Sequence, residues 1–176
     1  MKTLKTILSV FALAAVVSTA TFAQETANVG VTANVIADLT ISADEDVALG
    51  TIQSGASSTI AAGPWDATTE SNLGTGAQFG IVRVAGASGA SVDVSFTDGA
   101  LQNASNNDLL NFVTTVHDST SATTSAAVAT GDNRTLGGGL MTLYIGGTLD
   151  APSTAEAYTT ATGTSVATID VTVTYN

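Results

Sequence analysis

From Asn28 to Ser42 the chain alternates apolar and polar positions with one exception. Val29, Val31, Ala33, Val35, Ala37, Leu39 and Ile41 hold the odd positions. Asn28, Gly30, Thr32, Asn34, Asp38, Thr40 and Ser42 hold the even ones, and Ile36 breaks the rule. A period of two marks a β-strand with one buried face. At ~3.3 Å per residue this run reaches roughly 50 Å, whereas a common strand has only about 5–6 residues. One small domain can hardly bury all of it. The strand either bends between two sheets or gives its first half to another subunit.

Further strand patterns follow at the spacing of a sandwich. Asp44-Glu45-Asp46 reads as a turn, and Val47–Gln53 and Ser57–Ala62 as strands. Residues 63–76 form a polar loop opened by Gly63-Pro64-Trp65-Asp66. Ala77–Val84 reads as a buried strand, and Ser91–Thr97 alternates with Val92, Val94 and Phe96 on one face. Asp98-Gly99 is a turn. Leu109–His117 and Ala122–Ala129 form a hairpin, followed by a turn at Gly131-Asp132-Asn133. Leu140–Leu149 places Met141, Leu143, Ile145 and Leu149 on one face; Val166–Tyr175 does the same with Ile169, Val171, Val173 and Tyr175. No helical period longer than a turn follows the N-terminal segment. The expected fold is all-β, an antiparallel immunoglobulin-like β-sandwich over residues 37–176, with residues 24–36 as an N-terminal extension.

Residues 1–23 read as a cleaved signal peptide. Lys2 and Lys5 precede an apolar core from Ile7 to Val17, and Thr21-Phe22-Ala23 is a small-x-small cleavage site. The apolar run is too short for a stable membrane span. Export would leave a chain starting at Gln24. It has no cysteine, so packing and strand pairing must hold it without disulfides or a thiol metal site.

Removing Lys2 and Lys5 leaves Arg83 and Arg134 against fifteen acidic residues, two minus fifteen, a formal net charge of −13. Nucleic acid and anionic lipid surfaces, which demand a basic patch, are not expected as partners. Self-repulsion of this charge opposes compaction, and salt screens it over about 10 Å at 0.1 M. The melting temperature should therefore rise between dilute buffer and molar sodium chloride. An unchanged or lower midpoint in a thermal melt would contradict this.

Candidate chemistry is sparse. His117 beside Asp118 is the one histidine. With no Gly-x-Ser-x-Gly elbow it reads as a surface residue rather than part of a triad, and no catalytic residue is assigned. Asp44, Glu45 and Asp46 offer oxygen ligands of the kind calcium takes, but without the Gly and distal Glu of an EF-hand loop. They read as a solvated turn before a calcium site, and no other cofactor is expected. Gly137-Gly138-Gly139 and Gly146-Gly147 lack the lysine and following helix of a phosphate loop and read as turns and a bulge. Trp65, the one tryptophan, reads as a cap on one end of the core before a sugar-stacking platform.

The last strand pattern stops at Tyr175, one residue before the final Asn176. A sandwich whose last strand lacks a neighbour leaves an apolar groove open. A segment with alternate apolar residues fills such a groove by β-augmentation. Val29, Val31, Ala33 and Val35 have that spacing, with Ile169, Val171, Val173 and Tyr175 as the facing wall. The simpler alternative is that the long strand bends and pairs within its own domain.

The segment Ala33-Asn34-Val35-Ile36-Ala37-Asp38-Leu39-Thr40-Ile41, followed by Val47-Ala48-Leu49-Gly50-Thr51-Ile52, resembles the opening of the bacterial domain-of-unknown-function family numbered 4402. Ile145-Gly146-Gly147-Thr148-Leu149 and the closing Val-Thr-Tyr-Asn resemble its end. Leu49-Gly50 stands where that family usually shows Phe-Gly. Its layout is similar to that of spore-coat-U-like domains and archaic chaperone–usher pilins, which carry a donor strand before the first strand and end on a Tyr-containing one. Those pilins usually hold a cysteine near the position of Leu39. The resemblance implies an exposed sandwich. Together with the donor-strand pattern it sets the functional expectation: a secreted or surface-exposed, non-enzymatic subunit of a pilus, fimbria or coat. It would associate with itself or other subunits, with a periplasmic chaperone as a further partner. The alternative is a monomeric adhesion or glycan-binding module.

Overall fold

Alternation becomes a buried face only where a second sheet covers it, and the chain supplies that cover unevenly. The computed structural model describes residues 33, 35–65, 69–103, 105, 108–121, 124–160 and 168–176. By its internal contacts the chain divides into residues 1–34 and 35–176, and the fold described is that of the second part. Its strands are β1 (Thr40–Glu45), β2 (Ser58–Ile60), β3 (Gly80–Ala85), β4 (Ser91–Phe96), β5 (Gly99–Asn103) and β6 (Leu109–Ser121). Then come β7 (Thr124–Val128), β8 (Asp132–Thr135), β9 (Leu140–Leu149), β10 (Tyr158–Thr160) and β11 (Val171–Tyr175). All pairings between them are antiparallel.

The large sheet runs β1-β3-β9-β6-β5-β10, with β2 beside β9 and β7 beside β6. The small sheet is β11-β4-β8. β9 is the spine of the large sheet because its alternation is the cleanest. Met141, Leu143, Ile145 and Leu149 are buried, while Thr142 and Tyr144 face the other way and are half-buried. Val82 and Val84 of β3 and Val116 of β6 meet Val92 and Val94 of β4 in one core. Burying a Val or Leu side chain is worth about 1.5–3 kcal/mol, so this shared row holds the two sheets together without a disulfide. A second cluster, Ile60, Leu110, Phe112 and Leu149, fills the other end of the large sheet.

Several elements differ from the sequence pattern. The long N-terminal alternation yields a strand only from Thr40; residues 28–32 and 34 lie outside the described residues, and Val35–Leu39 carry no ladder. Asp44 and Glu45 belong to β1 instead of a turn. Cross-strand partners hold them there, Arg83 to Asp44 and Gln78 Nε2 to Glu45 Oε2 at 3.3 Å, and a register shift between Ala43 and Glu45 absorbs the irregularity. Val47–Gln53 is not a strand. Only Ala48 forms a bridge, to Gln78, because Gly50 turns left-handed at φ 68°.

At that turn two glycines let backbones cross. A Cβ on Gly50 would stand 2.7 Å from Thr75 O, and one on Gly74 would collide with the Thr51 backbone. Gly74 N also donates to Leu49 O at 2.9 Å. Gly74→Ala should therefore push the 48–52 segment outward and cost on the order of 2–3 kcal/mol, read as a lower denaturation midpoint. A midpoint within error of the wild type would show that the segment is not fixed by this crossing.

Candidate functional site: an open edge between the sheets

β1 and β11 are edges of facing sheets, and their inner faces are poorly covered. Ile41 pairs with Val84 and therefore points inward with it, yet Ile41 is 46% exposed where Val84 is 0%. Ala43, paired with buried Val82, is exposed too. On the other sheet Val173 pairs with Val94 and Tyr175 with Val92. The β4 residues are fully buried while Val171, Val173 and Tyr175 are half-buried. Two inner rows that each lose cover at their margin describe the place of one further strand.

The backbone of β11 is oriented for such a strand. Thr97 N donates to Asp170 O, and Asn176 N donates to Ser91 O, both at 3.1 Å. Hydrogen-bonded positions alternate along an antiparallel ladder, so the even-numbered residues of β11 face β4. Val171, Val173 and Tyr175 then turn their N–H and C=O toward the open edge. Among the described residues, β4 is the one strand paired with β11.

A cavity of about 980 Å³ opens beside this edge. Its floor is the large sheet, at Gly80, Val82, Phe112, Ile145 and Leu149. One wall is the 43–52 segment; the other is Thr168, Ile169 and Val171. A Cβ on Gly80 would stand 3.0 Å from Val47, and one on Gly99 3.0 Å from Ile169, so two glycines keep the walls close to the floor. Glu45, Asp46 and Glu156 also border the cavity.

The opposite end is closed. The Tyr175 hydroxyl donates to Ala37 O at 2.8 Å and accepts from Ala87 N at 2.7 Å. Leu39 packs into the core beside it, both side chains meeting the space over Gly86. The chain therefore enters the fold at the Tyr175 end, and there Val35 is 89% and Ile36 52% exposed.

The other sequence candidates are scattered. Asp44 is engaged by Arg83 and by the Ser42 hydroxyl, Glu45 by Gln78. Among the described residues no three acidic or histidine side chains gather as a metal site. His117 sits across from Tyr144 on the outward row of the large sheet. Trp65 meets Tyr144 edge-on at 4.7 Å, so it packs against the outside of β9 instead of capping the core. Val29 and Val31 lie outside the described residues. Ile169, Val171, Val173 and Tyr175 come together along one wall, as their alternation required. The floor residues escaped sequence reasoning because Gly80 and Phe112 look like any other core positions.

Comparison with protein-family models, with curated proteins and with solved structures returns no match.

Proposed function

We propose that this protein is an exported, non-catalytic structural subunit of a pilus, fimbria or surface coat. It is built as an immunoglobulin-like sandwich that accepts an extended strand from a neighbouring subunit. The observation that carries this reading is the pair of half-covered inner rows, Ile41 and Ala43 against Val171 and Val173, flanking an apolar cavity. An exposed edge of this kind is a liability in a monomer and a binding site in an assembly. Main-chain bonds to Val171, Val173 and Tyr175 would supply affinity, and alternate apolar side chains over the floor would supply specificity. A periplasmic chaperone would cover the same edge before assembly. Size exclusion and electron microscopy of the mature protein, alone and with a chaperone from its own cell, test the reading. Polymers are expected; a strict monomer at high concentration under both conditions would leave the adhesion module as the better account.

A further inference from the structure

Resting on that reading, we infer that the Tyr175 hydroxyl is a clamp. It fixes the direction in which residues before Ala37 leave the fold, and thereby sets the stiffness of the joint between one subunit and the next.

Tyr175 is used at both ends. Its ring packs against the shared core, a task phenylalanine performs as well. Its hydroxyl has a single proton to give and lone pairs to receive one. Ala87 N donates to that oxygen at 2.7 Å, and the hydroxyl donates to Ala37 O at 2.8 Å. The Ala87 N–H holds the oxygen in place, so the proton has one direction left to it. Ala87 belongs to the turn between β3 and β4. One hydroxyl therefore joins the last strand, the turn that links the two sheets and the segment ahead of β1.

Gly86 makes room for this contact. A Cβ there would collide with the Tyr175 hydroxyl and stand 3.0 Å from Leu39 Cδ1. The clamp and the first apolar anchor of the entering chain share the space that a side chain would take.

The holds on the entering chain follow closely on one another. Val35 and Ile36 are 89% and 52% exposed and carry no ladder. Ala37 is held by the hydroxyl, Leu39 by the core, and Thr40 by its pairing with Ala85. Without the hydroxyl the first hold moves from Ala37 to Leu39, and Ala37 and Asp38 join the free run before it. The reach of a free run grows with its length, so a neighbour joined through this extension swings through a wider arc. With the clamp in place the neighbour is held at one angle, and a polymer of such joints is stiff.

The absence of native cysteine makes the exit direction measurable. Nitroxide labels are placed at Val35→Cys and at Thr115→Cys, an exposed position on β6. Double electron–electron resonance on the unassembled mature subunit then reads the spread of distances between them. A narrow distribution is expected with the native Tyr175. It should broaden severalfold in Tyr175→Phe, which keeps the ring, and in Gly86→Ala, which displaces the hydroxyl from the other side. Tyr144→Phe, on the outward row of β9, should leave it narrow. In electron micrographs, fibres of Gly86→Ala should show a persistence length severalfold shorter than fibres of the native chain. A distribution that is broad with the native Tyr175, or that stays narrow in Tyr175→Phe, overturns the clamp. Broadening in Tyr144→Phe as well overturns its assignment to Tyr175. Gly86→Ala fibres as stiff as the native ones, despite a broadened distribution, overturn the link from clamp to stiffness. A native chain that never polymerises overturns the functional reading and the fibre stiffness with it, while the distance measurement still decides whether the hydroxyl fixes the exit.

Discussion

Val31→Asp should abolish polymer formation while leaving the melting temperature of the isolated subunit unchanged. In the proposed strand-accepting assembly Val31 would lie over the apolar row that includes Val173, away from any basic side chain. Beyond residue 23 the sequence offers only Arg83 and Arg134 as basic side chains; Arg83 is engaged by Asp44 and Arg134 by Asp118 and Asp132. A carboxylate placed there loses water and gains no partner. An uncompensated buried charge costs about 3–5 kcal/mol, and each ~1.4 kcal/mol is tenfold in affinity, so the subunit contact should weaken by a factor of roughly 10²–10³. The same substitution on a solvated strand costs little. If the N-terminal run instead pairs inside its own domain, Val31→Asp lowers the monomer's melting temperature and there is no polymer to lose. Electron microscopy with a thermal melt of both proteins separates these outcomes. As a complement, a peptide copying residues 27–36 should bind and stabilise a domain that begins near Ala37.

What the sequence made legible was the inner faces, because period two survives folding wherever a strand is long. β9 and β11 appear with the expected residues inward, and β6 and β7 form the expected hairpin. Short strands were missed for a physical reason. β8 is Asp132–Thr135, a polar tetrapeptide that looks like a turn, and its inner positions are held by Asp132 and Arg134, charges rather than apolar residues. β5 begins at Gly99, inside an Asp-Gly pair that usually marks a turn. There the chain crosses from the small sheet to the large one, and Asp98 Oδ1 accepts a hydrogen bond from Thr114 N at 2.8 Å. The Asp44-Glu45-Asp46 reading failed because composition alone does not show that Arg83 waits on the next strand. The open edge was legible in outline, from Ile169 to Tyr175. The cavity was not, because it arises where the segment after β1 stops being a strand at Gly50.

Arg134→Met should lower the melting temperature by roughly 10–20 °C, and adding Asp118→Leu should recover most of that loss. Asp118 is 3% exposed and points inward from β6. Arg134 of β8 pairs with buried Val92 of β4, so it reaches Asp118 from the opposite sheet. Its Nε lies 3.3 Å from Asp118 Oδ2 but outside hydrogen-bond alignment, which makes the attraction chiefly Coulombic. The same guanidinium donates through Nη2 to Ala127 O at 2.6 Å and to Asp132 Oδ2 at 3.1 Å. It ties β7, β8 and β6 at one margin of the two facing sheets. Methionine in its place leaves the Asp118 carboxylate buried without its guanidinium, its Oδ1 still accepting from the Ala126 N–H at 3.2 Å. Breaking a buried pair from one side costs about 3–5 kcal/mol, whereas replacing both members by apolar residues is often neutral or better. For a domain of this size each kcal/mol moves the midpoint by about 3–4 °C. Asp118 lies on the large sheet opposite Leu143 and Arg134 on the small sheet opposite Val92, and none of these residues lines the cavity. The double variant should therefore polymerise like the wild type. A double variant no more stable than Arg134→Met alone would mean that the guanidinium acts through Ala127 and Asp132, and that the charge pair across the sheets is not what holds this margin closed.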